Sequence, residues 1–251
     1  MKKWILVALS VLMVFGCVGC NREPINPNGG GMAEGFSYPQ DYVEEWGTPV
    51  AEKTEQGIRI ANETGKGGYT VMWNRAFSFK QFSMKFIPEI EKVENARAWI
   101  GFAFNDSADT WYDSSNSILV LFRPDADADG NPTGTATFNI VATLMGFQKT
   151  ETVATEVKNV PIYMDKENTF EMKYLDEVEG IKIEDWTLSV NGVDIVVKPS
   201  GDSTGNSTAD FSKVDSAMTD STMYLQFASQ RKPEDGKTSF TVTEVNGEKL
   251  N

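Results

Sequence analysis

The stretch AWIGFAFNDSADTWYDSSNSILVLF, residues 98–122, decides the fold. Residues 99–104 alternate between two sides of an extended chain, as side chains do along a strand. Residues 117–122 are apolar on both sides, which is typical of a central strand covered on both faces. A polar loop joins the two runs, so the stretch predicts two adjacent strands of one sheet. One side of the first strand carries Ile100, Phe102 and Phe104, and the other carries Trp99, Gly101 and Ala103.

The rest of the chain shows the same pattern, in which short runs typical of strands are separated by turn-forming residues. Asn191-Gly192, between two alternating apolar runs, is the strongest local hairpin signal. The alternation slips in phase between Phe79 and Phe82, which predicts a bulge near Lys80-Gln81. Residues 211–218 are the only helix candidate. We therefore predict an all-β, two-sheet antiparallel sandwich of the jelly-roll kind, with about 12–14 strands.

The N-terminal segment has the features of a secretion signal. Lys2 and Lys3 precede an apolar run, residues 4–15, that is short for a membrane span. The sequence CVGC, ending at Cys20, resembles a bacterial lipoprotein signal, in which a small residue precedes a lipidated cysteine. VFGC, ending at Cys17, is a second possible lipidation site, and an ordinary cleaved secretory signal is the alternative to both.

These features divide the chain into three parts. We expect residues 1–19 to be a signal peptide and residues 20–35, rich in Pro, Gly and Asn, to be a lipidated N-terminus and flexible spacer. Residues 36–251 would then form one β-sandwich domain. This organisation places the protein in a bacterial cell envelope, facing outside the cytoplasm. Its contact with the membrane would be through the lipid anchor alone.

The composition excludes several classes of function. The chain has no histidine, so the usual neutral-pH base and the commonest transition-metal ligand are missing. Its two cysteines are Cys17 and Cys20; if Cys20 is lipidated, the mature protein has no free thiol, which excludes cysteine-based zinc sites and a cysteine nucleophile. Its formal net charge is −13, and no run of basic residues is present. Nucleic-acid binding requires clustered Lys and Arg and is therefore not expected. Any metal would be a hard cation with oxygen ligands. We also expect the protein to be a monomer.

Four sequence features together resemble one known family. A phenylalanine-rich run precedes AWIGFAF, residues 98–104; WTLSVNGVDI follows at 186–195, and YLQFAS at 224–229 leads to SFTVTEVNG at 239–247. In this order they resemble the concanavalin A-like, or laminin-G-like, lectin and glucanase sandwiches. The resemblance implies two curved sheets of six or seven strands, with a ligand on the concave face or its rim loops. It bears more on the fold than on the function.

Glycosidases of that family are similar to one another in a strand motif, Glu-x-Asp-x-x-Glu, that supplies nucleophile and acid. The nearest match is EIEKVE, residues 89–94, where Glu91 stands in the position of the Asp and Pro88 precedes the motif. Retaining hydrolysis needs two carboxylates about 5 Å apart. Because the match falls at an expected turn before Ala98, we interpret it as a solvated acidic loop and assign no catalytic residue.

An acidic run after the second strand resembles a calcium-binding loop. Asp125, Asp127, Asp129 and Asn131 alternate, as oxygen ligands do in DxDxDG loops. Ala136 stands where a complete EF-hand loop would have its bidentate Glu. The run is therefore either a calcium site in a β-loop or an acidic turn built from turn-forming residues.

The polar loop between the two strands holds the first group of ligand candidates. Sugar rings stack their apolar faces on aromatic side chains, while carboxylates and amides bind the hydroxyls. Trp111 and Tyr112, with Asp109 and Asp113, provide this combination at one loop tip. The alternative is that the two aromatic side chains cover the core.

A second group of candidates lies on the sheet itself. Trp99, beside small residues, could form a platform with open space above its neighbours, and Gln226 projects to the face opposite Leu225. Arg97 and Arg123 flank the two strands and could pair with the Asp-rich turn. We predict non-catalytic binding of a glycan or polysaccharide at the cell surface. The alternatives are a glycoside hydrolase or polysaccharide lyase with atypical carboxylates, and a protein-binding or structural surface module.

Overall fold

The computed structural model describes residues 32–38, 49–62, 68–78, 81–93, 98–107, 117–145, 150–178, 181–195, 222–230 and 238–251. These residues form fifteen strands. The strands are β1 (Phe36–Ser37), β2 (Pro49–Lys53), β3 (Ile58–Asn62), β4 (Gly68–Ser78), β5 (Gln81–Ile90), β6 (Trp99–Asn105), β7 (Ser117–Ala126), β8 (Pro132–Met145), β9 (Thr150–Pro161), β10 (Asn168–Val178), β11 (Ile181–Val190), β12 (Val193–Ile195), β13 (Thr222–Gln230), β14 (Thr238–Val245) and β15 (Glu248–Lys249).

The strands make two antiparallel sheets, which confirms the predicted sandwich. One sheet has seven strands in the order β1-β4-β13-β6-β7-β8-β9. The other has eight, in the order β12-β11-β10-β5-β14-β3-β2, with β15 paired to β14. The predicted neighbours β6 and β7 are paired in the register Ile100↔Phe122. No helix long and apolar enough to cross a membrane occurs in the part of the chain that the structure describes.

Phenylalanine side chains from both sheets fill the space between them. Phe82 of β5 lies with its ring 4.6 Å from that of Phe104 on β6, centroid to centroid. Phe102 of β6 lies 5.0 Å from Phe170 of β10, and Phe122 of β7 lies 5.2 Å from Phe86 of β5. All are essentially excluded from solvent. Each buried aromatic side chain contributes about 1.5–3 kcal/mol of transfer free energy, so this layer holds the two sheets together.

The phase slip between Phe79 and Phe82 has another cause than the predicted bulge. β4 ends at Ser78 in the seven-stranded sheet, and β5 begins at Gln81 in the eight-stranded sheet. The two sheets face each other, so a chain that passes from one to the other can restart its alternation in a new phase. The prediction of a single bulged strand is therefore wrong.

The predicted Asn-Gly hairpin is confirmed. Asn191 and Gly192 join β11 to β12 with φ angles of 53° and 74°, the left-handed values that a tight two-residue turn requires. Three other predicted segments lie outside the described residues: the signal peptide at residues 1–19, the lipidation site Cys20 and the helix candidate at residues 211–218.

Asn191 also takes part in a hydrogen-bonded brace between the sheets. Its Nδ2 donates to the carbonyl of Pro161 at 3.0 Å and to Oδ1 of Asn168 at 2.9 Å. Asn168, fully buried, accepts from the backbone N–H of Tyr163 at 2.8 Å and donates to its carbonyl at 2.8 Å. β9 belongs to one sheet and β10 to the other. The brace therefore holds in place the segment between β9 and β10, through which the chain passes from one sheet to the other.

We expect Asn168→Ala to lower the free energy of unfolding by about 2–3 kcal/mol, because it leaves buried backbone groups without partners. Urea unfolding of the full chain measures this loss. Lys166→Ala is the matched control: Lys166 is exposed, and only its carbonyl accepts from Asn168. Equal stabilities of the two variants would contradict the role of the brace.

Candidate functional site

The outer face of the seven-stranded sheet, turned away from the other sheet, carries the side chains that alternate with the core residues. The strand register places Gly101 of β6 between Ala228 of β13 and Leu121 of β7. One step along, Ala103 lies beside Gln226 of β13. The sequence prediction of which residues share this face with Trp99 is therefore confirmed.

The centre of this face is closed to solvent. Trp99 exposes 8% of its surface, Ala103 1% and Gln226 none. A Cβ atom added at Gly101 would overlap the carbonyl oxygen of Val120 and approach the side chain of Leu121. The predicted open space above the neighbours of Trp99 is therefore absent. Trp99 and Gln226 lie on the predicted face, but neither is an exposed platform.

Towards β7, β8 and β9, side chains of the same face are partly exposed to solvent. Arg123 of β7 is paired with Thr137 of β8, and both side chains are partly exposed. Extending the β6–β7 register by one residue puts Trp99 opposite Arg123. A cavity of about 500 Å³ lies here, within the size range of small-ligand sites. It is lined by Val93, Arg123, Pro124, Asp125, Ala126, Asp127, Thr137 and Lys158.

Two buried donors on this face have no acceptor among the described residues: Nε of Arg123 and Nδ2 of Asn139. Asn139 pairs with Leu121, so the two donors come from neighbouring strands. A buried donor without an acceptor costs about 1–3 kcal/mol, and native proteins contain few of them. The pair therefore marks a part of the outer face, next to the cavity, where polar groups are incompletely satisfied by the described residues.

The predicted pairing of Arg123 with the acidic turn is wrong within the described structure. The carboxylate of Asp125 accepts hydrogen bonds from Thr135 Oγ1 at 2.6 Å and from Thr137 Oγ1 at 3.1 Å. These hydroxyl groups reach Asp125 because β8 pairs with β7. Arg97, the other arginine of the prediction, lies outside the described residues.

The acidic run forms the tight turn between β7 and β8. Asp127 Oδ1 accepts from the backbone N–H groups of Asp129 and Asn131, each at 2.9 Å, and Oδ2 accepts from Asn131 Nδ2 at 3.1 Å. Gly130, with φ of 82°, closes the turn. The bonds from Asn131, backbone first and side chain second, lower the pKa of the Asp127 carboxyl. Asp127 is therefore a turn-stabilising acceptor.

Two residues of the predicted calcium loop have different partners within the protein. Asp125 binds threonine hydroxyls on the sheet, whereas Asp127 binds Asn131 and the backbone of the turn. Over the described residues, no three acidic side chains come together in a way that could hold a metal ion. The alternative hypothesis, an acidic turn, accounts for Asp127 and Asn131 by their hydrogen bonds, and a calcium site at Asp125, Asp127, Asp129 and Asn131 stays a prediction.

We expect calcium to leave the melting temperature of the full chain unchanged, within about 1 °C, between millimolar CaCl₂ and EDTA. The reason is that the Asp125 and Asp127 carboxylates already have protein donors. Differential scanning fluorimetry measures the shift, with MgCl₂ as the control for ionic strength. A rise of several degrees that disappears in Asp127→Asn would restore the calcium site.

The charged form of Asp127 stabilises the fold above its unfolded pKa, and this contribution is lost as the pH falls through the lowered folded pKa. Carboxyl-detected NMR titration should therefore give a pKa below that of a free aspartate. Asn131→Ala removes the side-chain hydrogen bonds, the second cause, and should raise this pKa part of the way towards the ordinary value, because the backbone N–H of residue 131 still donates. An identical pKa in both proteins would refute the assignment.

The acidic motif of residues 89–94 is not part of this site. β5 continues through Glu89 to Ile90, so the predicted turn begins later than expected. Glu89 lies on the eight-stranded sheet and accepts from Ser239 Oγ at 2.9 Å, on the opposite side of the sandwich from Arg123. Glu94 lies outside the described residues.

The aromatic loop predicted to bind ligand also lies outside the described residues. Asp109, Trp111, Tyr112 and Asp113 belong to it and stay predictions. The Arg123 cavity was missed as a site by the sequence reasoning. Its one available signal was the position of Arg123 next to the inward-facing Phe122, which turns Arg123 to the outer face.

No family model matches the chain, and no curated protein is significantly similar to it. Among solved structures, a glycoside hydrolase family 16 endo-glucanase from Bacteroides ovatus aligns at 10% identity and a TM-score of 0.48, over 79% of this chain and 84% of that one. A legume lectin-like domain from Entamoeba histolytica aligns at 12% and 0.48, over 81% and 88%. Carbohydrate-binding module CBM66 from Bacillus subtilis aligns at 12% and 0.39, over 79% and 90%. Similarity at these levels does not decide the function.

Proposed function

We propose that this protein is a non-catalytic carbohydrate-binding β-sandwich, tethered to a bacterial cell envelope through a lipid on Cys20. The ligand site is the cavity beside Arg123 on the outer face of the seven-stranded sheet. The observation that carries the proposal is this cavity of about 500 Å³, which is lined by Arg123, whose buried Nε has no acceptor among the described residues. The family resemblance of the sequence is consistent with it.

The cavity walls match the mixed surface of a sugar. Hydroxyl groups both donate and accept, and here Arg123 supplies donors while Asp125 supplies acceptor oxygens. Val93 and Pro124 add apolar surface on which the C–H face of a ring can pack. Small-ligand sites combine a few polar groups with apolar walls in this way.

The acids of the cavity favour binding over hydrolysis. A glycosidase needs one carboxyl whose raised pKa keeps it protonated and a second that is free to attack or to activate water. The pKa of Asp127 is instead lowered, and its oxygens stabilise the turn. Asp125 is held by two threonine hydroxyls. Neither residue is available for the role of general acid.

We expect Arg123→Ala to weaken glycan binding by at least about tenfold, the effect of losing hydrogen bonds from a charged donor. Glycan-array screening of the full chain in detergent, followed by calorimetry on a bound glycan, measures the change. Arg75→Ala is the matched control, since Arg75 is exposed on β4 and pairs with Glu248. It should bind within about twofold of the unaltered protein.

Three results would contradict the proposal. Binding that survives Arg123→Ala unchanged would move the site elsewhere. Release of reducing ends from a bound polysaccharide would make the protein a hydrolase. Absence of binding to every glycan would favour a structural or protein-binding surface module, in keeping with the closed centre of the face around Trp99.

A further inference from the structure

We infer that the saccharide bound at the Arg123 cavity carries a carboxylate, as uronic acids do. This inference rests on the proposed function and specifies the chemical class of its ligand. It comes from the charge balance of the cavity walls and from the geometry of the donors.

Within the described part of the chain no acidic side chain forms an ion pair with Arg123, although the protein is strongly acidic. The chain has a formal net charge of −13, and Asp125 lies two residues away on the same face of β7. Yet Arg123 forms no ion pair with any described residue, because the threonines of β8 occupy the carboxylate of Asp125. A guanidinium with a buried, unpartnered Nε is poorly compensated. A carboxylate from a ligand would provide the missing compensation.

The shape of the donor group selects the kind of anion. A guanidinium presents parallel N–H groups that match the two oxygens of a carboxylate, and such bidentate pairs are among the stronger hydrogen bonds in proteins. Lys158 of β9 adds a second positive charge to the cavity wall.

The two aspartates of the cavity restrict how such a sugar can bind. Asp125 and Asp127 repel an anion from their wall, while their oxygens can accept hydrogen bonds from sugar hydroxyls. The carboxylate must therefore point to Arg123 and Lys158, with hydroxyl groups towards Asp125. A saccharide with one carboxylate per ring and several hydroxyls fits this division better than a densely sulfated polymer.

The test uses matched pairs of polymers with the same linkage. Oligogalacturonate and oligomannuronate are each compared with the product of reducing their carboxylates to alcohols, by calorimetry with the full chain in detergent. We expect the acidic member of at least one pair to bind about tenfold or more tightly than its neutral counterpart. Its affinity should also fall as the salt concentration rises.

Two variants separate the charge from the fold. Arg123→Gln retains hydrogen-bonding capacity without the charge and should remove the preference for the acidic polymer, while Arg123→Lys should retain part of it. Unchanged melting temperatures show that both variants fold. A preference that persists in Arg123→Gln would overturn the assignment.

The remaining outcomes are distinct. Equal affinity for acidic and reduced polymers would overturn the carboxylate inference and leave glycan binding intact. Dextran sulfate is compared with neutral dextran in the same way. If sulfation increases affinity more than the carboxylates of the uronates do, the ligand group would be a sulfate, and the carboxylate inference would also be overturned. Absence of binding to any polymer, acidic or neutral, would contradict both this inference and the proposed function.

Discussion

The structure depends on the packing of phenylalanine rings from the two sheets against each other. Phe102 meets Phe170 and Phe104 meets Phe82 across the sandwich. Once these residues face inward, the pleat turns every second residue to the outer faces. The buried Phe122 in this way directs Arg123 away from the core. The position of the proposed site follows from core packing, because the strand that supplies Phe122 to the core also carries Arg123 on its other face.

Local alternation was enough to predict much of this fold. The run at residues 99–104 indicated both faces of β6, and Asn191-Gly192 indicated its hairpin, because each signal depends on a few neighbouring residues. The crossing between Phe79 and Phe82 could not be predicted in the same way. Alternation within one segment carries no information on the sheet to which the segment belongs, and that choice is made by pairing with distant strands.

The site shows the same division between local and distant information. The direction of Arg123 follows from its neighbour, but its lack of an ion pair depends on the threonines that β8 brings to Asp125. Trp99 was placed on the correct face, yet its burial depends on what packs around it. The acidic turn shows the reverse case, because the hydrogen bonds of Asp127 all come from residues within four positions of it in the sequence.

The brace between Asn168 and Asn191 has a consequence for recognition. β9 is the outermost strand of its sheet, and such edge strands have only one neighbour to hold them in place. The brace binds the carbonyl of Pro161 at the end of β9, three residues after Lys158. The brace therefore anchors the strand that carries Lys158, while β7, which carries Arg123, is held between β6 and β8. Such preorganisation lowers the entropy lost on association, so modest contacts can yield useful affinity.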